Sequence, residues 1–280
     1  MRLLLALALL FCGAPAVAQT SEPVPLDHLP ALRGGYHKIP WPEQGRAFHV
    51  YVRLPADYDA SGNRRYPIVY LLDGDSLFPI LAANHLFLTY DEQLPEAIIV
   101  GIAYGGFGPE NRRGFDYTPP VPGIPGVSAD PAGAPNFHAF LKDRLMPEVE
   151  RRYRADPARR ILFGQSLGGS FVLYSAFADP DLFWGRIASN PVIDRFRDRF
   201  FGLAPSASRR DLGLVVTSGT RDRPPLREGA LAWFRAWKER RNTPWRLHTV
   251  TVENGTHAAS STDAYRAGML FLFKPAAGER

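Results

Sequence analysis

The stretch that decides the fold reads Arg160-Ile-Leu-Phe-Gly-Gln-Ser-Leu-Gly-Gly169. A short apolar run, Ile161 to Phe163, stops at Gly164, and a helix pattern rich in small residues starts after Ser166. Gly164 to Gly168 is therefore a G-x-S-x-G pattern between a strand and a helix, the context of a nucleophile elbow. We predict that a Cβ atom at either glycine would collide with the neighbouring strand or helix. The alternative is a glycine-rich turn whose serine only caps the helix.

The N-terminus has the organisation of a secretory signal peptide. Arg2 precedes the apolar run Leu3 to Phe11, and Ala16-Val-Ala18 offers a cleavage site before Gln19. The apolar run is too short to span a bilayer. We therefore expect residues 1–18 to be removed. The mature protein should be periplasmic or secreted and should have no stable membrane anchor.

The rest of the chain is long enough for a single large domain. Cys12, within the leader, is the only cysteine of the 280 residues, so stability must come from a packed core rather than from disulfides. No internal repeat divides the remaining sequence of about 260 residues. We expect an N-terminal arm over residues 19–34 and one catalytic domain over residues 35–280, and the sequence leaves the oligomeric state open.

The charge balance is mildly basic, with a formal net charge of +5. The excess indicates either a compositional preference for arginine or a preference for anionic substrates. Because no basic run alternates with aromatic residues, a nucleic-acid partner is not expected. The sequence has no H-E-x-x-H motif and no cysteine cluster, so we expect neither a metal nor another cofactor.

Hydrophobic patterns predict strands that alternate with helices after an antiparallel start. The predicted strands are Gly35–Ile39, Ala47–Leu54, Ile68–Leu72, Ala97–Ile102, Ile161–Phe163, Arg186–Ser189, Leu212–Thr217 and Trp245–Val252. The predicted helices are Leu77–Tyr90, a helix capped by Asn136 and running to Tyr153, the helix after Ser166, Leu226–Arg241 and Thr262–Phe273. This order predicts an α/β fold with a mostly parallel sheet covered by helices on both faces.

One long segment interrupts this alternation. Gly105–Pro135 is crowded with glycine and proline and has no convincing periodicity. Loops of that length in a compact domain are usually functional or disordered. Because the segment follows a central strand, we expect it over the C-terminal edge of the sheet, where such folds bind ligands.

A serine nucleophile needs a base, and the base needs an orienting acid. Of the seven histidines, His257 follows the last strand in a small flexible loop, so it is the candidate base. Asp222 follows the strand before it and a glycine turn, so it is the candidate acid, with Glu228 and the weaker Asp194 as rivals. The order serine, aspartate, histidine is that of α/β-hydrolases.

A tetrahedral oxyanion needs preorganised donors. The N–H group of Leu167, at the start of the helix after Ser166, is the first candidate. The second should come from the turn Asp73–Leu77, and we assign it to the N–H group of Asp75.

Together these motifs resemble the putative-esterase family of α/β-hydrolases, which includes esterase D, feruloyl and acetyl-xylan esterases, mycolyltransferases and the siderophore esterases. The resemblance rests on Leu71–Phe78, the elbow, Ser218–Asp222 and the His257 loop, and it covers nearly the whole chain after the leader. Asp73-Gly74, in place of the commoner His-Gly, and Arg113–Pro119 are most similar to the siderophore-esterase branch.

The resemblance makes Arg113 a candidate contact for an anionic substrate group, since a guanidinium suits a carboxylate, a phenolate or a metal chelate. Tyr117 could stack on an aryl group beside it. The alternative, equally open, is that Arg113 pairs with Asp116 and folds its own loop.

These expectations favour a serine carboxylester hydrolase acting on a small-molecule ester, with siderophore-type or anionic aryl esters as the expected class. The alternatives are an acyltransferase, which passes the acyl group to an alcohol, and a non-catalytic binder on a hydrolase scaffold.

Overall fold

The computed structural model describes residues 29–121 and 132–274. The predicted leader and residues 19–28 of the predicted arm lie outside these ranges. The rest of the arm forms a 3-10 turn, Pro30–Leu32, and leads into the first strand.

Within the described ranges the strands form a single eight-stranded sheet. They are β1 Gly34–Trp41, β2 Arg46–Arg53, β3 Tyr66–Leu71, β4 Ile98–Ala103, β5 Ala155–Gln165, β6 Gly185–Ser189, β7 Leu212–Gly219 and β8 Trp245–Val252. Their order across the sheet is β1-β2-β4-β3-β5-β6-β7-β8. The pairs β1–β2 and β2–β4 are antiparallel and all the others are parallel. The predicted mostly parallel sheet with an antiparallel start is confirmed.

The helices lie on both faces of the sheet. They are α1 Gly74–Asp91, α2 Arg113–Asp116, α3 Ala134–Phe140, α4 Met146–Arg152, α5 Leu167–Ala178, α6 Arg197–Phe200, α7 Pro224–Lys238 and α8 Ser261–Phe273. A π turn, Leu141–Leu145, joins α3 to α4, so the single helix predicted there is interrupted. The prediction that Asn136 caps that helix is wrong, because α3 already begins at Ala134 and carries a proline in its first turn.

Each face of the sheet has its own apolar core. Phe48, Phe137, Phe171 and Trp233 belong to the core under α3, α5 and α7. A second core under α1 and α8 includes Leu81, Phe163, Tyr265 and Met269. The central strands β6 and β7 are buried along their whole length, as expected for parallel strands covered on both faces.

This topology brings distant segments together at one edge. Strands β5, β6, β7 and β8 are parallel neighbours, so their C-terminal ends meet at the same edge of the sheet. Ser166 and Asn190 directly follow β5 and β6, and Asp222 and His257 lie in the loops after β7 and β8. The candidate site residues therefore converge although the chain separates them.

Candidate active site

Ser166 occupies a strained turn between β5 and α5. Its φ of +61° and ψ of −122° lie outside the regions that side-chain-bearing residues ordinarily adopt. The N–H group of Ser166 donates to the carbonyl of Ser189 at 2.9 Å, which holds the turn against the end of β6. Strain of this kind persists only where the surroundings fix it, and it clusters at functional sites.

The two glycines of the pattern are not equivalent. A Cβ at Gly164 would lie 2.4 Å from the carbonyl oxygen of Gly168, so β5 and α5 can meet only if Gly164 has no side chain. At Gly168 the nearest atom would be Oδ2 of Asp73, a side-chain atom 3.2 Å away. The predicted collision with the neighbouring strand or helix therefore holds at Gly164, and it is wrong at Gly168, where the nearest atom belongs to Asp73 between β3 and α1.

Ser166, His257 and Asp222 form a continuous chain of hydrogen bonds. The Oγ atom of Ser166 lies 2.9 Å from Nε2 of His257, and Nδ1 of His257 lies 2.8 Å from Oδ1 of Asp222. An ionised carboxylate can only accept, so Nδ1–H donates to Asp222 and leaves Nε2 to accept the proton of the serine hydroxyl. The structure thus gives the imidazole the tautomer that a base acting on Ser166 needs.

Asp222 is the only one of the three candidate acids that contacts His257. Its side chain is 1% exposed, and its Oδ1 atom also accepts the N–H group of Arg223 at 2.6 Å. Glu228 lies on an exposed position of α7, and Asp194 pairs with Arg197 at the surface. Neither rival lies in the hydrogen-bond chain.

The backbone of His257 is held by two side chains that the sequence analysis did not single out. Gln165, the last residue of β5, and Asn190, directly after β6, both donate a side-chain amide hydrogen to the carbonyl oxygen of His257. The available signal was their position, since polar residues at the C-terminal ends of parallel strands meet at the ligand-binding edge.

The starts of α5 and α1 offer backbone N–H groups as candidates for oxyanion binding. Leu167 is the first residue of α5, and the N–H groups of a first helical turn have no partner within the helix. In the turn Asp73–Leu77 the N–H group of Asp73 donates to the hydroxyl of Tyr117, and those of Ser76 and Leu77 donate to the Asp73 carbonyl. Gly74 and Asp75 are the members of that turn whose N–H groups have no protein partner within the described ranges.

Arg113 is held by an aspartate 40 residues away. Its Nε and Nη2 atoms donate to the two carboxylate oxygens of Asp73 at 2.7 and 2.9 Å. The suggested pairing of Arg113 with Asp116 is wrong, because Asp116 is fully buried and instead accepts from Arg46 at 2.6 Å and from the Tyr104 hydroxyl at 2.8 Å. Asp116 thus anchors the segment after β4, whereas Arg113 reaches toward the elbow.

Tyr117 is fully buried, which contradicts the prediction that it contacts substrate. Its ring packs beside Phe137 and Phe171, and its hydroxyl accepts the N–H group of Asp73. Burial, followed by the neighbouring Asp73 charge, raises the pKa of Tyr117 well above its ordinary value. Tyr117 therefore stabilises the turn at Asp73 through this hydrogen bond.

Burial also affects the pKa of Asp73. It raises the pKa of this carboxyl above its ordinary value, although the hydrogen bonds from Arg113 act in the opposite direction. Asp73 adopts a left-handed backbone with φ of 54° immediately before α1. The ion pair therefore joins the start of α1 to the segment after β4, and Asp73 lies beside Gly168 in the first turn of α5.

Residues 29–121 and 132–274 contain neither a candidate metal site nor a candidate membrane span. No group of three or more histidine, cysteine, aspartate or glutamate side chains there could hold a metal ion. None of the helices in these ranges combines the length and apolar character needed to cross a bilayer.

Several curated proteins with similar sequences are named as esterases. The family model described as putative esterase matches residues 42–269. Ferri-bacillibactin esterase BesA of Bacillus subtilis is 34% identical over 164 residues, which cover 54% of this chain and 55% of the relative. Apo-salmochelin esterase of Escherichia coli O6:H1 is 32% identical over 162 residues, 55% of this chain and 49% of the relative. The chain thus matches about half the length of these curated relatives.

Solved structures share the fold at lower identity. The BES protein from Bacillus cereus superposes with a TM-score of 0.71 at 23% identity, covering 85% of this chain and 94% of the other. An IroE-like serine hydrolase from Shewanella oneidensis gives a TM-score of 0.67 at 21% identity, covering 84% and 78%. At these identities the likeness establishes an α/β-hydrolase-like fold.

Proposed function

We propose that this chain, which belongs to the putative esterase family, is a serine carboxylester hydrolase that works through an acyl-enzyme. The observation that carries the proposal is the hydrogen-bond chain from Ser166 through His257 to Asp222, with distances of 2.9 and 2.8 Å. A nucleophile, its base and an orienting acid within hydrogen-bond reach form the arrangement that acyl transfer requires.

In the first half-reaction the Oγ atom of Ser166 attacks the ester carbonyl carbon while Nε2 of His257 takes the hydroxyl proton. The carbonyl π pair moves onto oxygen and gives a tetrahedral intermediate. When that intermediate collapses, the C–O bond to the alcohol breaks, and the leaving oxygen receives the proton from His257. The acyl group remains on Ser166.

In the second half-reaction water takes the place of the alcohol. The water oxygen attacks the acyl carbon while His257 removes a proton from the water. When the bond between Oγ and the acyl carbon breaks, His257 gives that proton to Oγ and the acid product leaves. The carboxylate of Asp222 stabilises the imidazolium that forms twice in the cycle, and its burial favours this interaction over solvation.

The negative charge on the tetrahedral oxygen falls near the start of two helices. Leu167 on α5 supplies one N–H group in this proposal, and Asp75 or its neighbour Gly74 on α1 supplies the other. Donors that are already oriented when the charge develops are among the largest contributions to such catalysis.

Siderophore-type esters are the substrate class to test first, because several relatives carry such activities in their names. The ferri-bacillibactin and apo-salmochelin esterases described above are two such relatives. Anionic aryl esters remain a second class. The side chain of Arg113 is 34% exposed, but its guanidinium forms an ion pair with Asp73. An anionic substrate would therefore meet a guanidinium that is already paired.

We further propose that the catalytic domain extends over residues 35–280 and acts in the periplasm or outside the cell after removal of residues 1–18. Mass spectrometry of the protein exported from a bacterial host tests this, because cleavage before Gln19 predicts a mature chain that begins at that residue.

Hydrolysis of a substrate panel tests the proposed function. The panel holds p-nitrophenyl esters, feruloyl and acetyl sugars, and catecholate lactones, and it is run for the wild type and for Ser166→Ala. We expect turnover by the wild type and a loss of three or more orders of magnitude in the variant, because little beyond oxyanion binding then remains. Turnover of the variant within tenfold of wild type would remove Ser166 from the mechanism.

Product analysis in the presence of acceptor sugars separates the rival activities. A hydrolase releases the free acid in all cases, whereas an acyltransferase forms a new ester when the acceptor is present. Tight binding of a panel member with no turnover would instead indicate a binder on a hydrolase scaffold.

A further inference from the structure

Asn190 lies between the loop that carries the base and the turn that carries the acid. It directly follows β6, is 1% exposed and adopts a left-handed backbone with φ of 42°. Its own N–H group donates to the Thr217 carbonyl at 3.0 Å, which ties it to β7. A buried polar side chain at this position must find its partners within the protein.

The side-chain amide of Asn190 connects the two catalytic loops. Its Oδ1 atom accepts the N–H group of Gly219 at 2.8 Å, three residues before Asp222. Its Nδ2 atom donates to the His257 carbonyl at 2.9 Å and to the Ser260 hydroxyl at 2.8 Å. Both ends of one amide are therefore used, one on the acid side and the other on the base side.

The loop that carries His257 needs such support. It follows β8, which is an edge strand of the sheet, and Glu253, Asn254 and Ala258 in this loop are exposed. The Ser260 hydroxyl, which accepts from Asn190, donates in turn to the Thr256 carbonyl. Asn190 thus holds the loop from within, next to the residue that must meet both Ser166 and Asp222.

We infer that Asn190 is a positioning residue, which fixes the separation of His257 and Asp222 through one shared side-chain amide. The kinetic consequences of this inference rest on the proposed function. The hydrogen bonds of the Asn190 amide do not depend on it. Misplacement of a catalytic group by about 1 Å can cost on the order of 10²-fold in rate. Asn190 would therefore act on turnover more than on substrate binding.

Three variants separate the hydrogen bonds from the backbone strain. Asn190→Ala removes the amide but keeps a Cβ at positive φ, whereas Asn190→Gly removes the amide and relieves that φ. Asn254→Ala is the matched control, because Asn254 also has a positive φ, 57°, and lies in the His257 loop with an exposed side chain. Each variant is made in the full chain and compared by melting temperature, kcat and KM on p-nitrophenyl acetate.

We expect kcat to fall about 10- to 100-fold in both Asn190 variants, with KM and the control variant within about twofold of wild type. In an Asp222→Asn background the same Asn190→Ala change should cost less than about threefold, because residues that act as a unit are non-additive. A full multiplicative loss in that background, or recovery of wild-type kcat by Asn190→Gly, would overturn the inference.

A spectroscopic measurement keeps this test separate from the proposed function. The Nδ1 proton of His257, held between the imidazole and Asp222, is sought as a low-field proton resonance by NMR, which needs no turnover. Its loss or displacement in Asn190→Gly, with no change in Asn254→Ala, supports the positioning role even if no ester is hydrolysed. An unchanged resonance in Asn190→Gly contradicts it, whatever the enzyme's activity.

Discussion

The Nε2 atom of His257 lies 2.9 Å from the Oγ atom of Ser166, although 91 residues separate them in the chain. Four parallel strands produce this contact, since the loops after β5 and β8 leave the same edge of the sheet. Because Nδ1 of His257 is hydrogen-bonded to Asp222, Nε2 is the ring nitrogen that faces Ser166.

The first prediction concerns His257 and Asp222, the other two members of the hydrogen-bond chain. His257→Ala should lower kcat as far as Ser166→Ala does, because members of one catalytic unit are non-additive. Asp222→Asn should cost about 10²- to 10⁴-fold, because the acid orients the imidazole and stabilises its charged form. Steady-state kinetics on p-nitrophenyl acetate measure both effects.

Glu228→Gln is the control for Asp222→Asn. Glu228 is exposed on α7, so its neutralisation should leave kcat within about twofold, in line with the small effects of surface substitutions. If Glu228→Gln proves the more damaging change, the assignment of the acid to Asp222 is wrong.

The second prediction compares the two elbow glycines. Gly164→Ala places a Cβ 2.4 Å from a backbone oxygen, so β5 and α5 must separate, and we expect a destabilisation of about 1–3 kcal/mol with a large loss of activity. Gly168→Ala meets only a side-chain oxygen at 3.2 Å and should be tolerated better. Thermal unfolding and esterase assays rank the two variants, and the reverse ranking would contradict this geometry.

The third prediction concerns the ion pair between Arg113 and Asp73. Arg113→Ala leaves the carboxylate of Asp73, whose side chain is 14% exposed, without its partner, at a cost of about 1–3 kcal/mol in unfolding free energy. Because Asp73 borders the first turn of α5 and precedes α1, kcat/KM should fall by similar factors for p-nitrophenyl acetate and for an anionic aryl ester.

The double variant Arg113→Ala with Asp73→Asn is the matched control for that effect. It removes the unpaired charge, so part of the lost stability should return. A rise in KM confined to the anionic ester, with an unchanged melting temperature, would instead make Arg113 a direct substrate contact.

The fourth prediction concerns pH and stability. Burial lowers the pKa of His138 to about 4, so this side chain stays neutral in the folded state while the unfolded chain takes up a proton near the ordinary value of 6.5. The unfolded state therefore binds more protons between pH 6.5 and about 4, and stability falls as the pH is lowered through that window.

His138→Phe tests this linkage because the ring can still pack beside Phe171 and Tyr174. The slope of unfolding free energy against pH should decrease by up to about 1.4 kcal/mol per pH unit, the contribution of one proton. Part of the remaining slope belongs to His85, whose pKa burial lowers to about 3. An unchanged slope in urea titrations between pH 4.5 and 6.5 would show that His138 does not titrate in this way.

The parts of the site that the sequence predicts are those with local signals. The elbow around Ser166 is a short pattern between a strand and a helix, and His257 and Asp222 each follow a strand in the order typical of the fold. The buried parallel strands β3 and β4 were also predictable, because each is a nearly continuous apolar run.

The parts that the sequence does not predict depend on contacts between distant segments. Arg113 has Asp116 three residues away in the chain but pairs with Asp73, which is 40 residues away. Tyr117 lies in a segment without periodicity, so nothing local indicated that its ring is buried. Asn190 is one polar residue after a short strand, and its role emerges only when the loops after β7 and β8 are placed beside it.

Covalent labelling with a serine-directed fluorophosphonate tests the central claim most directly. The account predicts one adduct per chain, located at Ser166 by peptide mass spectrometry, with no adduct in Ser166→Ala and slower labelling in His257→Ala. Ser166→Ala should keep the melting temperature of the wild type, because alanine tolerates the strained φ no better and no worse than serine. A folded wild-type protein that takes up no label, or takes it up at another residue, would contradict the assignment of Ser166 as the nucleophile.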